Sequence, residues 1–345
     1  MNNINININI NKWKISGAAV QGRRHAENNT PCQDKIFSLC KNGVTSIALA
    51  DGAGSAKLSH YGAETAAKII CEKLCSDFDV MINNSNAEII KRDILDTIIM
   101  KLKVLAQDFK CSIREFASTL LAAASDDKNI ILIHLGDGII GCSRRGETVA
   151  VSYPENGEFK NETFFTTSHD ALYRLRLLKG SAAGISGIAL MSDGSEKSFF
   201  HENENKFGEL IEEIKQKSII YSEDDMNNEL ENLFNEVIKQ NTRDDCSLII
   251  MSRPDEFFRG YRDLDEIDKL EFLCVKTAEG KNNREKIFSI LAGQESVSRA
   301  KIISSAQELG LKRRQVIGLL RDLNKKGLIR KIRPLSRKYS LNFYF

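Results

Sequence analysis

Proline is nearly absent, with four residues in 345, which excludes a Pro-rich linker protein. Tryptophan occurs once and histidine five times, so a cage built on imidazole has little to draw on. The eight cysteines contain no CxxC pair and no two pairs at zinc-ribbon spacing. Most of them lie inside apolar runs such as CSLIIM (246–251), where a thiol behaves as a small buried hydrophobe. No apolar run reaches the roughly 18 residues that a membrane helix requires. The opening MNNINININI lacks the basic start and continuous apolar core of a secretory signal. Free thiols without an export signal lead to the expectation of a cytoplasmic protein with no membrane partner. A hydrophobic content of 42% with 28% charged residues excludes a disordered chain.

Net charge of one sign is also lacking, since the whole chain sums to +2. That near-balance hides a separation. From Lys281 to the C-terminus, 16 basic residues stand against four acidic ones, a segment of +12, which leaves −10 on residues 1–280. The length accommodates two domains. The divisions expected are a body at 1–252, a connector at 253–280 and a basic domain at 281–345.

The body alternates strand-like and helix-like text. KIFSLC (35–40) and VTSIALA (44–50) flank Asn42-Gly43, a hairpin signal. Apolar residues recur at helical spacing over 61–75 and again over 86–109. Short strand candidates follow at 118–124, 130–136, 138–142, 147–152, 187–192 and 246–251. Strands come in runs and helices in blocks, which predicts α+β with antiparallel sheets. The NINININI start alternates with period two and predicts a strand, to which no chemistry is assigned.

Acidic residues gather at strand ends. Asp51-Gly52 follows IALA, Asp137-Gly138 follows ILIHLG, Asp193-Gly194 follows IALMS, Asp244-Asp245 precedes CSLIIM, and Asp34 precedes KIFSLC. Asp-Gly is also a common hairpin turn, and Asp137-Gly138, closely flanked by strands, is expected to be one in part. The other pairs run into loops or helix-like text. Carboxylates gathered at one sheet edge repel unless a cation neutralises them, and oxygen ligands without His or Cys suit Mg²⁺ or Mn²⁺. Spacing alone leaves both readings open.

The ordered series PCQD (31–34), ALADGAGS (48–55), ASTLLAA (117–123), HLGDG (134–138), ALMSDGSEK (189–197) and TRDDCSLII (242–250) resembles the metal-dependent type 2C protein phosphatases. More narrowly, it is similar to a bacterial branch whose first motif reads Asp-Gly-Ala-Gly. The resemblance spans roughly residues 13–252. It implies two antiparallel β-sheets in a sandwich flanked by helices, with two divalent cations, Mg²⁺ or Mn²⁺, at one end. It implies that Asp51 bridges both ions, that the Gly52 carbonyl joins one, and that Asp193 and Asp244 hold the other. Asp34 would act through metal-bound water, and Asp137 would touch a weaker third ion. Ser118 and Thr119 would serve packing and hydrogen bonding. The implied reaction is attack of activated water on a phosphoserine or phosphothreonine protein substrate.

Two departures bear on this. Ala53 stands where many relatives have a His, a candidate acid for the leaving alkoxide, and Asn29 where many have a phosphate-gripping Arg. In GRRH, His25 is the candidate replacement acid, with Arg23 and Arg24 as the phosphate clamp. The alternative function is a catalytically weak sensor of phosphatase fold that controls a DNA-binding tail.

Residues 284–345 read as three helices and a β-hairpin. The first helix buries Ile287, Ile290 and Leu291. The second, capped by Ser298, buries Ile302, Ile303, Ala306 and Leu309 and stops at Gly310. The third runs from Lys312 to Gly327 over Val316, Leu319, Leu320 and Leu323, and two further strands turn near Pro334. This pattern resembles a winged-helix domain. Its third helix, with Arg313, Arg314, Arg321 and Lys325, would enter a DNA major groove, while Arg333, Arg337 and Lys338 would meet phosphates. A protein partner, the acidic body included, is the other reading.

Overall fold

The computed structural model describes residues 13–144, 146–154, 163–201, 206–253, 266–292, 294, 296–326, 328–331 and 337–341. The expected NINININI strand, Gly327, Arg333 and the turn near Pro334 lie outside them. The chain divides into two compact units, one of residues 13–218 with 226–253 and one of residues 219–225 with 266–341.

The larger unit is built on two five-stranded antiparallel sheets. One contains β2 (Lys35–Lys41), β3 (Val44–Ala50), β4 (Leu120–Ser125), β5 (Asn129–Leu135) and β8 (Arg176–Ser181), in that order. The other has the order β1 (Lys14–Val20), β12 (Cys246–Ser252), β9 (Ile185–Met191), β6 (Ile139–Arg144), β7 (Glu147–Ser152). The Asn42-Gly43 hairpin forms as expected: Lys41 pairs with Val44, and both turn residues take positive φ, 55° and 76°.

Alternation along β3 and β4 separates two cores. Ile47, Leu49, Leu121 and Ala123 face the second sheet, where they meet Ile140, Ile188, Leu190, Ile249 and Met251. Ala48, Ala50, Ala122 and Ala124 face the other way, against α2 (Ser59–Asn83) and α3 (Ala87–Asp108). Small residues there, with Ala63, Ala66 and Ala67 on α2, let the helix lie close to the sheet. Asn86 caps α3 by accepting hydrogen bonds from the N–H groups of Glu88 and Ile89 at 3.1 and 3.2 Å.

Asp137-Gly138 corrects the sequence reading. It joins β5 to β6, which belong to different sheets, so it is a crossing between layers rather than a hairpin turn. Asp193 begins α5 (Asp193–Phe199), and Asp51 runs through a loop into α2.

In the smaller unit, α9 (Ala278–Leu291), α10 (Arg299–Glu308) and α11 (Arg313–Lys325) pack with a three-stranded sheet. Its order is β13 (Val297–Ser298), β15 (Lys338–Leu341), β14 (Ile329–Lys331). The core joins Ile287, Phe288, Leu291, Ile302, Ala306, Val316, Leu320, Leu323 and Tyr339. Ser298 caps α10 by accepting from Lys301 N–H at 3.3 Å. Leu309 is 44% exposed, contrary to expectation, because α10 ends at Glu308 and the chain leaves the helical path.

Candidate active site

A cleft of about 140 Å³ opens at one end of the larger unit, lined by Asp51, Asp137, Asp193 and Asp244 with Arg24, Gln33, Thr119 and Phe165 among others. Four separate strand ends supply the four carboxylates. Asp51 follows β3, Asp137 follows β5, Asp193 follows β9 and Asp244 precedes β12. Asp34, just before β2, lies behind them with 1% of its surface exposed. Sequence separations of up to 210 residues thus collapse onto one end of the two-sheet sandwich.

Backbone bonds fix the Asp51 loop. Asp51 N–H donates to Thr119 Oγ1 at 2.9 Å, and Thr119 N–H donates to the Asp51 carbonyl at 2.8 Å. Gly52 pairs with Ser118 in an antiparallel bridge, and its N–H donates to the Gln33 carbonyl at 3.2 Å. Ser118 and Thr119 therefore hold the loop, as the sequence implied. Ala53 is buried, its N–H bonded to the Ala117 carbonyl at 2.9 Å.

The segment before β12 is clamped from two sides by glycine. A Cβ on Gly22 would stand 2.2 Å from the Asp244 carbonyl carbon, and one on Gly194 1.9 Å from the Asp245 oxygen. Asp245, named in the sequence only as half of the Asp244-Asp245 pair and given no role there, is the hub of this segment. It is 3% exposed and accepts from Gly22 N–H and Gln33 N–H, both at 2.6 Å. The adjacent acids thus divide their tasks: Asp244 faces the cleft and Asp245 faces the fold. The two 2.6 Å backbone contacts are charge-assisted bonds of the stronger kind.

Candidate cations are placed unequally. Arg24 lines the cleft and pairs with Asp244 at 3.1 Å. Arg23 turns to the carbonyls of Thr242 and Gln240 at 3.0 and 3.3 Å and does not line the cleft. His25 is 6% exposed. Its Nδ1 lies 2.8 Å from Asp245 Oδ2 and its Nε2 3.9 Å from Asp244 Oδ1, so it stands behind the carboxylates instead of lining the cleft. His134 is buried between Ser152 Oγ at 2.8 Å and the Gly136 carbonyl at 3.1 Å. Burial, and then the Arg176 charge, lower it to about 3, so it remains neutral at physiological pH.

Electrostatics mark the carboxylates as short of counter-charge. Burial raises Asp34 to about 7; the Ser247 and Ser192 hydroxyls beside it oppose the rise, and the Asp245 and Asp193 charges add to it. Asp51 is raised well above its ordinary value by burial and then by Asp34, Asp193, Asp137 and Asp244. Asp193 is exposed as a residue, yet loss of water around its carboxyl and the Asp137 and Asp244 charges raise it to about 6. Asp34 Oδ2 accepts from Ser247 Oγ at 2.7 Å. Its Oδ1 is buried with no partner among the described residues. Asp137 accepts from Thr163 Oγ1 at 2.7 Å. Among the described residues, no three His, Cys, Asp or Glu side chains already form a cage for one ion. The donor chemistry fits hard cations nonetheless: all five carboxylates offer oxygen, and Asp34 keeps one oxygen unused.

In the smaller unit, Arg313, Arg314, Arg321 and Lys325 are all exposed on α11, and Arg337 and Lys338 are exposed at the start of β15.

The sequence profile of the family described as Protein phosphatase 2C matches residues 21–235. Serine/threonine-protein phosphatase 3 of Escherichia coli (strain K12) is 25% identical over 193 residues, which is 54% of this chain and 74% of that protein. A crystal structure of a bacterial serine phosphatase superposes with a TM-score of 0.50 at 16% identity, covering 71% of this chain and 99% of that one. A C. elegans sex determining protein superposes with a TM-score of 0.52 at 15% identity, covering 70% of this chain and 65% of that one. At such identities the two structures speak for the fold alone.

Proposed function

Since this chain belongs to the protein phosphatase 2C family and is thereby classed among the serine/threonine phosphatases, we propose that its cleft hydrolyses phosphoserine and phosphothreonine in proteins with two divalent cations, Mg²⁺ or Mn²⁺. The observation that carries this reading is the convergence of Asp51, Asp137, Asp193 and Asp244 from four strand ends, with Asp34 raised to about 7 behind them. Such a cluster lacks counter-charge, and a divalent cation is what it suits.

Asp51, Asp193 and Asp244, with the Gly52 carbonyl, would hold the ions, and Asp137 a weaker third. Bound there, the cations would supply charge neutralisation and an activated water. The remaining work falls to the protein. Asp34, fixed by Ser247 behind the cleft lining, would act on the attacking water only indirectly, through the bound cations. Arg24, the lone cation lining the cleft among the described residues, can receive the phosphoryl group in its guanidinium fork once Asp244 turns to a metal ion. His25 acts through Asp244 and Asp245, which it touches, more than as an acid at the leaving oxygen. With Ala53 offering no proton, the leaving alkoxide takes one from solvent, and the rate of that step is correspondingly modest.

The chain belongs in our reading to the Asp-Gly-Ala-Gly branch, divided at about residues 252 and 281. Three helices and a small antiparallel sheet in the basic segment support a winged-helix module for DNA or protein binding. The test of the catalytic reading is hydrolysis of a phosphothreonine peptide by the full chain. Turnover should require Mn²⁺ or Mg²⁺, stop with chelator, and disappear in Asp51→Asn and Asp193→Asn. Activity that survives chelation would overturn it.

A further inference from the structure

The stretch from Gln240 to Asp245 carries Asp244 into the site, and sheet pairing begins only beyond it, at Cys246. It leaves a 3₁₀ turn, Ile238–Gln240, so its first carbonyls need partners from elsewhere. The segment Gly22–Glu27, which includes the short helix α1 (Arg23–Glu27), supplies them. Arg23 Nη2 donates to the Gln240 and Thr242 carbonyls at 3.3 and 3.0 Å, and its Nε donates to Thr242 at 3.2 Å. Arg24 N–H donates to the Arg243 carbonyl at 3.0 Å. Gly22 N–H donates to Asp245 Oδ1 at 2.6 Å, and Arg243 pairs with Glu27 at 2.7 Å. The two segments are stitched together along their whole length.

They also carry opposite halves of the site. One supplies Arg24 and the other Asp244, which face each other at 3.1 Å. A cation on Asp244 would take that partner away. Arg24 is half exposed, and Asp244 is the one group bonded to its guanidinium among the described residues. Its position would then rest on its own backbone, and so on the bonds that hold α1. Those of Arg23 join a charged donor to two backbone acceptors, and they lie outside the cleft.

We propose that Arg23 is a positioning residue for phosphate binding. By holding the Gln240 and Thr242 carbonyls it fixes α1 against the segment of Asp244, and it keeps Arg24 over the cleft when Asp244 turns to a metal ion. This rests on the phosphatase reading above, with Arg24 as the phosphate contact. The Nε–Nη2 edge of Arg23, one that could grip a phosphate as a fork, is occupied by carbonyls, and the residue serves the phosphate through its neighbour.

The test is steady-state hydrolysis of a phosphothreonine peptide by the full chain with Mn²⁺, with thermal melts alongside. Wild type, Arg23→Met, Arg23→Lys, Arg24→Gln and the double variant Arg23→Met with Arg24→Gln are compared. Arg23→Met should raise KM about threefold with kcat kept within about twofold, as the loss of one modest hydrogen-bonded anchor dictates. The competitive Ki of inorganic phosphate should rise in step. Arg23→Lys, which can hold one carbonyl but cannot fork across two, should recover part of the loss. In the Arg24→Gln background Arg23→Met should add nothing, because the residue through which it acts is gone. A further rise of about threefold there would mean that Arg23 touches phosphate itself, and would overturn the positioning role. An unchanged KM in Arg23→Met, or a fall in kcat with KM kept, would overturn it as well. If Arg23→Met does not fold, Arg23→Gln carries the same comparison. No turnover by the wild type would overturn the phosphatase reading, and the role of Arg23 with it.

Discussion

Replacing Asp34 by Asn should stabilise the metal-free protein above neutral pH, although the residue lies at the heart of the site. Asp34 is 1% exposed, and its carboxyl is raised from 3.8 to about 7. The folded state therefore retains a proton that the unfolded state releases, and stability falls as pH rises from about 4 to about 7. Roughly three pKa units at 1.36 kcal/mol each put the loss on the order of 4 kcal/mol above pH 7. Asn has no such titration. Its amide group, however, falls where Asp34 Oδ1 is buried without a partner, which costs about 1–3 kcal/mol. The net expectation at pH 8 in chelator is Asp34→Asn more stable by about 1–3 kcal/mol, a rise in Tm of about 3–8 °C. At pH 4.5 the advantage should vanish, and with saturating Mn²⁺ the gap should close, since the cation relieves a charge that only the wild type carries. Melts followed by circular dichroism at both pH values, with and without Mn²⁺, make the comparison. If Asp34→Asn melts below wild type at pH 8 in chelator, the claim of uncompensated charge in the cleft is refuted.

Other expectations are more local. Arg24→Gln should raise KM for a phosphothreonine peptide about tenfold with little change in kcat, the pattern for a lost phosphate contact present in both ground and transition states; an unchanged KM would remove Arg24 from the clamp. Gly194→Ala drives a methyl into the Asp245 carbonyl, so urea titration should register a loss of more than about 2 kcal/mol, and a neutral result would contradict the clamp on that segment. His134, held neutral by burial, makes the fold acid-sensitive: below about pH 6.5 the unfolded chain takes up a proton that the native state, at about 3, refuses. Between pH 6.5 and 5 the wild type should lose about 2 kcal/mol on this account, and His134→Gln should lack that slope.

The hairpin at Asn42-Gly43 and the helices α2 and α3 were legible because short-range chemistry dictates them: a turn that needs positive φ, and apolar spacing near 3.6. The strand-end carboxylates were legible for the same reason, each at the edge of an apolar run. Their convergence was not, because which strands share a sheet is decided by pairings far apart in sequence. β5 and β6 are apolar on both faces, so period-two alternation carries no signal to assign them to different layers, and the crossing at Asp137 reads like a turn. Asp244 and Asp245 are equivalent as text; only the glycine clamps and the backbone donors of Gly22 and Gln33 tell them apart. Arg23 and Arg24 are likewise indistinguishable until the carbonyls of Gln240 and Thr242 take one of them. β13 is two residues long, too short for any pattern to show.

The central claim is that the five-carboxylate cluster holds divalent cations. Calorimetric titration of Mn²⁺ into the metal-free full chain tests it most directly. The account predicts a stoichiometry of about two ions, accompanied by release of protons near neutral pH because Asp34 and Asp193 stand at about 7 and about 6 before binding. Asp51→Asn should abolish that binding while the protein stays folded. No heat of binding in the wild type, or undiminished binding in Asp51→Asn, would contradict it.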